Sequence, residues 1–310
     1  MSPLPLPPHA PLCSAQQLLD SLNRGVVVLD CGFDLTDTEA GQRAHRQARI
    51  RGSRYAHLAL HLSGPHAAGG PAQGGRHPLP TREAWAHTVA TWGIGPDTPV
   101  VAYDAQGGPY AARAWWLLKA LGHEAVWVLD GGWSAWLAAQ GPVDAGPEAA
   151  GGPLAPPHPG LPWPALPTVS ADALQAQLGR VLLVDARAGE RYRGEVEPLD
   201  TQAGHIPGAV NRCFKDNLLP NGHFKPAAQL REEWQRWGVQ REFDAGHTVV
   251  HQCGSGVTAC HNILAMVQAG WPISALYPGS WSEWSAQPQR PVSGRRAAGA
   301  SPAAPGPGPR

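Results

Sequence analysis

One pattern of residues occurs twice in this chain, in the same order and at nearly the same spacing. The first copy opens on the apolar run Val26-Val27-Val28-Leu29, ending at Asp30; the second opens on Val181-Leu182-Leu183-Val184, ending at Asp185. Ala48-Arg49-Ile50-Arg51-Gly52-Ser53 then corresponds to Gly204-His205-Ile206-Pro207-Gly208-Ala209. Two further short runs follow, Pro99-Val100-Val101-Ala102-Tyr103 before Asp104 and Thr248-Val249-Val250-His251-Gln252 before Cys253. Each copy closes on a tryptophan phrase, Leu129-Asp130-Gly131-Gly132-Trp133-Ser134-Ala135-Trp136 and Tyr277-Pro278-Gly279-Ser280-Trp281-Ser282-Glu283-Trp284. Asp104 lies 29 residues before Trp133, and Cys253 lies 28 before Trp281. Four correspondences in one order mark a duplicated domain.

The repeated runs are apolar throughout and of strand length, and they alternate with segments that read as amphipathic helices, such as Ala111–Ala120 and Ala259–Gln268. That alternation predicts an α/β fold in which each copy is a mainly parallel sheet with helices on both faces. Ligands of such sheets sit beyond the carboxyl ends of the strands. Asp185 and Cys253 both stand at such ends, so one crevice can hold both.

The 310 residues suit two domains. Residues 12–140 and 169–290 are expected to be those domains. Between them, 141–168 is too rich in Gly, Pro and Ala to build a core and reads as a linker. The stretch 291–310 reads as a disordered tail by the same reasoning. Lys+Arg and Asp+Glu both number 24, which gives no basic surplus for nucleic acid. No run approaches the roughly 18 apolar residues of a membrane span. Met1–Pro11 has neither a basic start nor an apolar run, so no signal peptide is expected. The five cysteines form no CxxC pair and no zinc-type spacing, which fits a reducing, cytoplasmic setting without a metal. A monomer is the default expectation for a fused pair of domains.

The chemistry concentrates in Cys253-Gly254-Ser255-Gly256-Val257-Thr258. A buried strand delivers a cysteine to a tight loop that opens directly into a helix. Gly254 and Gly256 allow conformations in which successive N–H groups turn inward and cradle an anion. The helix start adds partial positive charge, and Ser255 and Thr258 add hydroxyl donors. Such surroundings favour a nucleophilic thiolate. The competing reading is a buried structural cysteine before a glycine turn, as Cys260 is expected to be in the core. Two glycines and two hydroxyls at a strand–helix junction favour function at Cys253.

This loop resembles that of the tandem rhodanese-like sulfurtransferases, especially the 3-mercaptopyruvate group. Gly204-His205-Ile206-Pro207-Gly208-Ala209 and Gly279-Ser280-Trp281-Ser282-Glu283-Trp284 are similar to the family's other two signatures, and the likeness runs from about residue 12 to 290. The resemblance implies two tandem rhodanese-like domains and a persulfide on Cys253. Sulfur would come from a small anionic donor and pass to cyanide, a small thiol or a thioredoxin-like dithiol, with no cofactor. The first domain would be the inactive copy, because Asp104 stands where the cysteine should be.

In the family, the arginine of an Arg-aromatic pair binds substrate; here that is Arg191, before Tyr192. Arg187 would instead pair with a carboxylate and hold the loop, and Asp185, at the strand end, would be a supporting residue. Two departures bear on the donor. A second clamp arginine, usual in mercaptopyruvate enzymes, is replaced by Leu199 in Glu197-Pro198-Leu199-Asp200. The basic loop residues usual in thiosulfate enzymes are replaced by Gly254 and Ser255. Gly75-Arg76-His77-Pro78 resembles a family segment that would bring His77 to Ser255, although the segment reads by itself as a surface loop. The acidic residue needed for a Ser–His–Asp relay is not evident in His57-Leu58-Ala59-Leu60-His61. A cysteine phosphatase is the nearest rival, but the fifth residue beyond its cysteine would have to precede an arginine, and here Ala259 follows Thr258. A non-catalytic sulfur-carrier or binding module is the other.

Overall fold

The computed structural model describes residues 4–148 and 153–294. The first repeat contains β1 (Leu12–Cys13), α1 (Ala15–Leu19), β2 (Val27–Asp30), α2 (Ala40–Gln47), β3 (Arg49–Ile50), β4 (Arg54–Tyr55), α3 (Arg82–Thr91), β5 (Val100–Tyr103), α4 (Pro109–Ala120), β6 (Val126–Leu129), α5 (Gly132–Ala138) and β7 (Val143–Asp144). The second contains α6 (Ala171–Ala176), β8 (Leu182–Asp185), α7 (Gly189–Tyr192), β9 (Val210–Asn211), α8 (Ala227–Arg236), α9 (Val239–Asp244), β10 (Val249–Gln252), α10 (Thr258–Gln268), β11 (Ala275–Leu276) and α11 (Ser280–Ser285). The strand orders are β1-β6-β5-β2-β4 and β11-β10-β8-β9, and every pair within these two sheets is parallel. Asp30 stands opposite Tyr103 in one sheet and Asp185 opposite Gln252 in the other, so Asp104 and Cys253 leave equivalent strand ends.

The expected amphipathic helices differ from the observed ones. Ten of the twelve residues of α4 are buried, and eight of the eleven of α10. The physical reason is that α4 and α10 pack on each other across the domain boundary, so each is covered on one side by its sheet and on the other by its counterpart. One continuous core results, in which Trp115, Trp116 and Leu117 of the first domain belong with Trp234, Leu264 and Met266 of the second. This packing holds two strand ends, and the loops after them, near the same interface.

The segment 141–168 was expected as a plain linker, yet its described parts pack closely. β7 pairs antiparallel with β3, and the Trp163 indole N–H donates to the Pro80 carbonyl at 3.0 Å. His158 meets His123 at 3.0 Å. Proline-rich chain cannot make a sheet core, but it lies well along the surface of one. Of the segment 291–310 expected as a tail, the described residues 291–294 are packed. Ser293 and His205 exchange backbone hydrogen bonds at 2.8 and 2.9 Å, and the Pro291 carbonyl accepts the N–H of buried Trp284 at 2.8 Å. Residues 295–310 lie outside the described residues.

Candidate active site

Cys253 follows β10 directly and is 2% exposed. Its backbone is held by the closing tryptophan phrase. The Cys253 N–H donates to Ser280 Oγ at 3.1 Å, its carbonyl accepts from the Trp281 N–H at 3.0 Å, and the Gly254 carbonyl accepts from Ser282 at 2.9 Å. Ser280 adopts φ +54°, a left-handed conformation that costs a non-glycine residue about 1–3 kcal/mol. The three bonds that converge there account for its being tolerated. Gly256 has φ +75°, and a Cβ on it would stand 2.4 Å from the Pro278 carbonyl oxygen, so only glycine fits. Among the described residues, the N–H groups of Ser255, Gly256 and Val257 donate to no backbone carbonyl. Thr258 opens α10 directly behind them. The loop is therefore an anion nest at a helix start.

Beside the loop runs a chain of alternating charge. Arg187 donates to Asp185 at 2.8–3.1 Å, to the Gly204 carbonyl at 2.8 Å and to Glu197 at 3.4 Å. Its guanidinium lies 4.7 Å from the Trp281 ring centroid. It is 3% exposed, and its geometry is that of a brace between the strand end and the 197–204 segment. Arg191 donates to Glu197 at 2.6 Å and to Asp200 at 3.2 Å. Its Nε is buried without a hydrogen-bond partner among the described residues, and its Nη1 lies against Gly254. The guanidinium is thus turned toward the Cys253 loop and the cavity beside it. The last member of the chain, Arg76 of the first domain, pairs with Asp200.

His77 stands apart from its expectation as a surface loop histidine. It is 9% exposed, and its Nδ1 is 2.8 Å from Ser255 Oγ. Burial first, then the neighbouring charges of Arg113 and Arg76, lower its pKa to about 3. It is thus neutral at ordinary pH and orients the Ser255 hydroxyl. No carboxylate pairs with it among the described residues, so the site lacks a Ser–His–Asp relay. The histidine is buried because residues 74–76 dock on α11: Gly74 N–H donates to Glu283 at 2.9 Å and Arg76 N–H to Ser282 Oγ at 3.0 Å.

No local motif singles out Arg113. It is fully buried in α4 and donates to the Gly256 carbonyl at 3.2 Å, the His77 carbonyl at 3.2 Å and the Leu62 carbonyl at 3.3 Å. One cation of the first domain thereby ties the Cys253 loop of the second to the segment that carries His77. Its signal was present as a lone charge in Ala111-Ala112-Arg113-Ala114-Trp115-Trp116, a position where burial demands partners.

Several of these groups line a cavity of about 550 Å³ between the domains. Cys253, Ser255, Thr258, Arg191 and Leu199 face it from the second domain, with Arg76, His77 and Tyr110 from the first. Lys215 adds another cation to its wall. Asp185 lies deeper, under Arg187. Of the other cysteines, Cys13, Cys31, Cys213 and Cys260 all have thiol pKa values raised chiefly by burial, Cys260 to about 12. No helix among the described residues is long and apolar enough to cross a membrane, and no group of three or more metal-ligating side chains occurs there.

Comparison with known proteins identifies the family. The Rhodanese-like domain family matches twice, over residues 14–139 and 170–287. A Pseudomonas aeruginosa protein described as "Probable 3-mercaptopyruvate sulfurtransferase" is 45% identical over 289 residues, covering 92% of this chain and 98% of that protein. The thiosulfate sulfurtransferase of Cricetulus griseus is 32% identical, covering 88% of this chain and 90% of its own. The structure of 3-mercaptopyruvate sulfurtransferase from Leishmania major superposes with a TM-score of 0.76 at 26% identity, over 90% of this chain and 75% of that one. The chain belongs to the rhodanese family, as a tandem of two rhodanese-like domains.

Proposed function

We propose that this tandem rhodanese sulfurtransferase takes sulfur from 3-mercaptopyruvate, carries it as a persulfide on Cys253 and delivers it to a thiol or cyanide. The observation that carries the reading is the nest at Cys253 with the Arg191 guanidinium beside it: a nucleophile, an anion cradle and an anion receptor share one cavity. The Cys253 thiolate attacks the donor sulfur and forms an S–S bond. The donor's C–S bond breaks, and the electron pair leaves with the carbon as an enolate, which takes a proton to give pyruvate. The outer sulfur, as an anion, is held by the loop N–H groups. An acceptor thiolate or cyanide then attacks that sulfur, the S–S bond breaks, and the Cys253 thiolate leaves. No net oxidant or reductant is consumed.

Within this reading Arg191 receives the donor's carboxylate, Arg187 and Asp185 brace the strand end, and Ser255, set by neutral His77, offers a hydroxyl to the donor. Gly254, Gly256, Val257 and Thr258 supply the nest. The neutral Gly254 and Ser255 favour a donor that brings a carboxylate to arginines outside the loop over thiosulfate, which would place its charge within the loop. The same cavity admits thiosulfate by size, with sulfite as the leaving group. Steady-state assays with each donor and a small thiol acceptor test the choice. A higher kcat/KM for 3-mercaptopyruvate is expected; a higher value for thiosulfate reverses the donor assignment, and no turnover with either overturns the function. Residence in the cytoplasm and action as a monomer are part of the same proposal, checked by fractionation and sedimentation.

A further inference from the structure

The mercaptopyruvate reading leaves a deficit at Leu199, which is 39% exposed and lines the cavity without a charge. A carboxylate held by Arg191 alone would share that guanidinium with Glu197 and Asp200, both of which already accept from its Nη2. The cavity contains a second guanidinium at the same spot. A Cβ built on Gly254 would lie 2.9 Å from Arg76 Nη2 and 3.4 Å from Arg191 Nη1. Both arginines therefore cover one face of the residue next to Cys253, and both are tied to Asp200, Arg76 through Nη1 and Arg191 through Nη2. The Arg76 side chain is 21% exposed and that of Arg191 17%, so each is partly sheltered from water yet open to the cavity.

Arg76 is also fixed in place. Its N–H donates to Ser282 Oγ at 3.0 Å, next to the residues that hold the Cys253 backbone. Gly75 beside it approaches Gly279 so closely that a Cβ would stand 2.3 Å from the carbonyl oxygen. A residue of the first domain is thus positioned by the same α11 motif that positions the nucleophile. Pre-positioned guanidinium groups bind carboxylates with charge-assisted, often bidentate hydrogen bonds.

Resting on the function proposed above, we infer that Arg76 is a donor-binding residue: with Arg191 it forms a two-domain clamp for the donor's carboxylate, supplying from the first domain the charge that Leu199 does not. Asp200 spaces the two guanidinium groups. A side chain at Gly254 would require the Arg76 end of the clamp to shift. The first domain then contributes to donor selection as well as to packing.

The test compares 3-mercaptopyruvate with mercaptoacetone, which carries the same sulfur without the carboxylate, using the full chain and a saturating thiol acceptor. Arg76→Gln is expected to raise KM for 3-mercaptopyruvate about tenfold or more, the usual weight of a charge-assisted hydrogen bond, with a smaller change in kcat. Its kcat/KM for mercaptoacetone should stay within about twofold of the parent, since that donor has no group for the clamp. Arg76→Lys keeps an ion pair to Asp200 and guards against loss of the fold; it should raise KM for 3-mercaptopyruvate by a smaller factor, because an ammonium cannot make the fork. Equal losses with both donors would reduce Arg76 to an interdomain brace, and an unchanged KM for 3-mercaptopyruvate in both variants would remove it from the site; either result overturns the inference while sulfur transfer by the parent protein stands. Failure of the parent to take sulfur from either donor would instead overturn the proposed function, and this inference with it.

Discussion

In the first domain the carboxylate of Asp104 turns back into its own loop and accepts four backbone N–H groups, from Gln106 at 2.9 Å, Gly108 at 2.8 Å, and Tyr110 and Ala111 at 3.0 Å. In the second domain the equivalent position holds Cys253, and among the described residues the N–H groups of Ser255, Gly256 and Val257 donate to no backbone carbonyl. Burial raises the pKa of Asp104, while those four donors stabilise its charged form. The comparison teaches what the loop is for. One backbone design turns N–H donors inward, and in one copy the sequence fills it with the Asp104 carboxyl group. The other copy keeps it open beside a sulfur nucleophile. A cavity of about 330 Å³ in the first domain, beside Asp30, Tyr103 and Gln106, contains no thiol in its wall.

Substitutions can break or sharpen this contrast. Cys253→Ser should reduce turnover to the uncatalysed background, because a serine oxygen at neutral pH does not form the S–S bond, whereas Asp104→Asn should leave turnover within about twofold. Parallel assays of the two variants measure it. Arg191→Met should raise KM for an anionic donor roughly 10–100-fold, as expected when a charge-assisted contact is lost, and the same assay reads it. Asp104→Ala should lower stability by about 2–4 kcal/mol, since several buried N–H groups lose their acceptor at once, and denaturant unfolding would detect this with little change in kcat. A large loss of activity in that variant would mean that the first loop has a part in catalysis.

The smallest effect concerns pH. His77 has a pKa of about 3 in the folded protein against 6.5 ordinarily, so the unfolded chain binds the extra proton between those values. Its contribution to stability is fully present above about pH 6.5 and is lost as pH falls toward 3, by up to about 1.4 kcal/mol per unit. The stability gap between the parent and His77→Gln should therefore narrow from pH 7 to pH 5 in denaturant titrations. kcat/KM should show no inflection from His77 between pH 5 and 8.

Much of the second-domain site was legible because its residues lie in short, local motifs. The strand–cysteine–glycine–helix order from Val249 to Cys260 contains the nest, and the tryptophan phrase from Gly279 to Trp284 contains the residues that hold it. The duplication made the parallel sheets readable as well. What local motifs could not convey was contact across the interface. Arg113 and Arg76 reach the loop only because α4 packs on α10 and residues 74–76 dock on α11, and neither event leaves a periodic signal. His77 reads as a loop residue until that docking buries it. For the same reason α4 and α10 look amphipathic in the chain but are covered all round in the fold.

The most direct test of the contrast between the two loops is to expose the protein to 3-mercaptopyruvate without reductant and map added sulfur on its cysteine peptides by mass spectrometry. Burial raises the thiol pKa values of Cys13, Cys31, Cys213 and Cys260, which leaves them poor nucleophiles. The expected result is one added sulfur on the Cys253 peptide, absent from Cys253→Ser and absent from the other four. Added sulfur on Cys31 or Cys260 instead, or on Cys253 equally after its nest is blocked by Gly256→Val, would contradict the assignment of persulfide chemistry to the open loop.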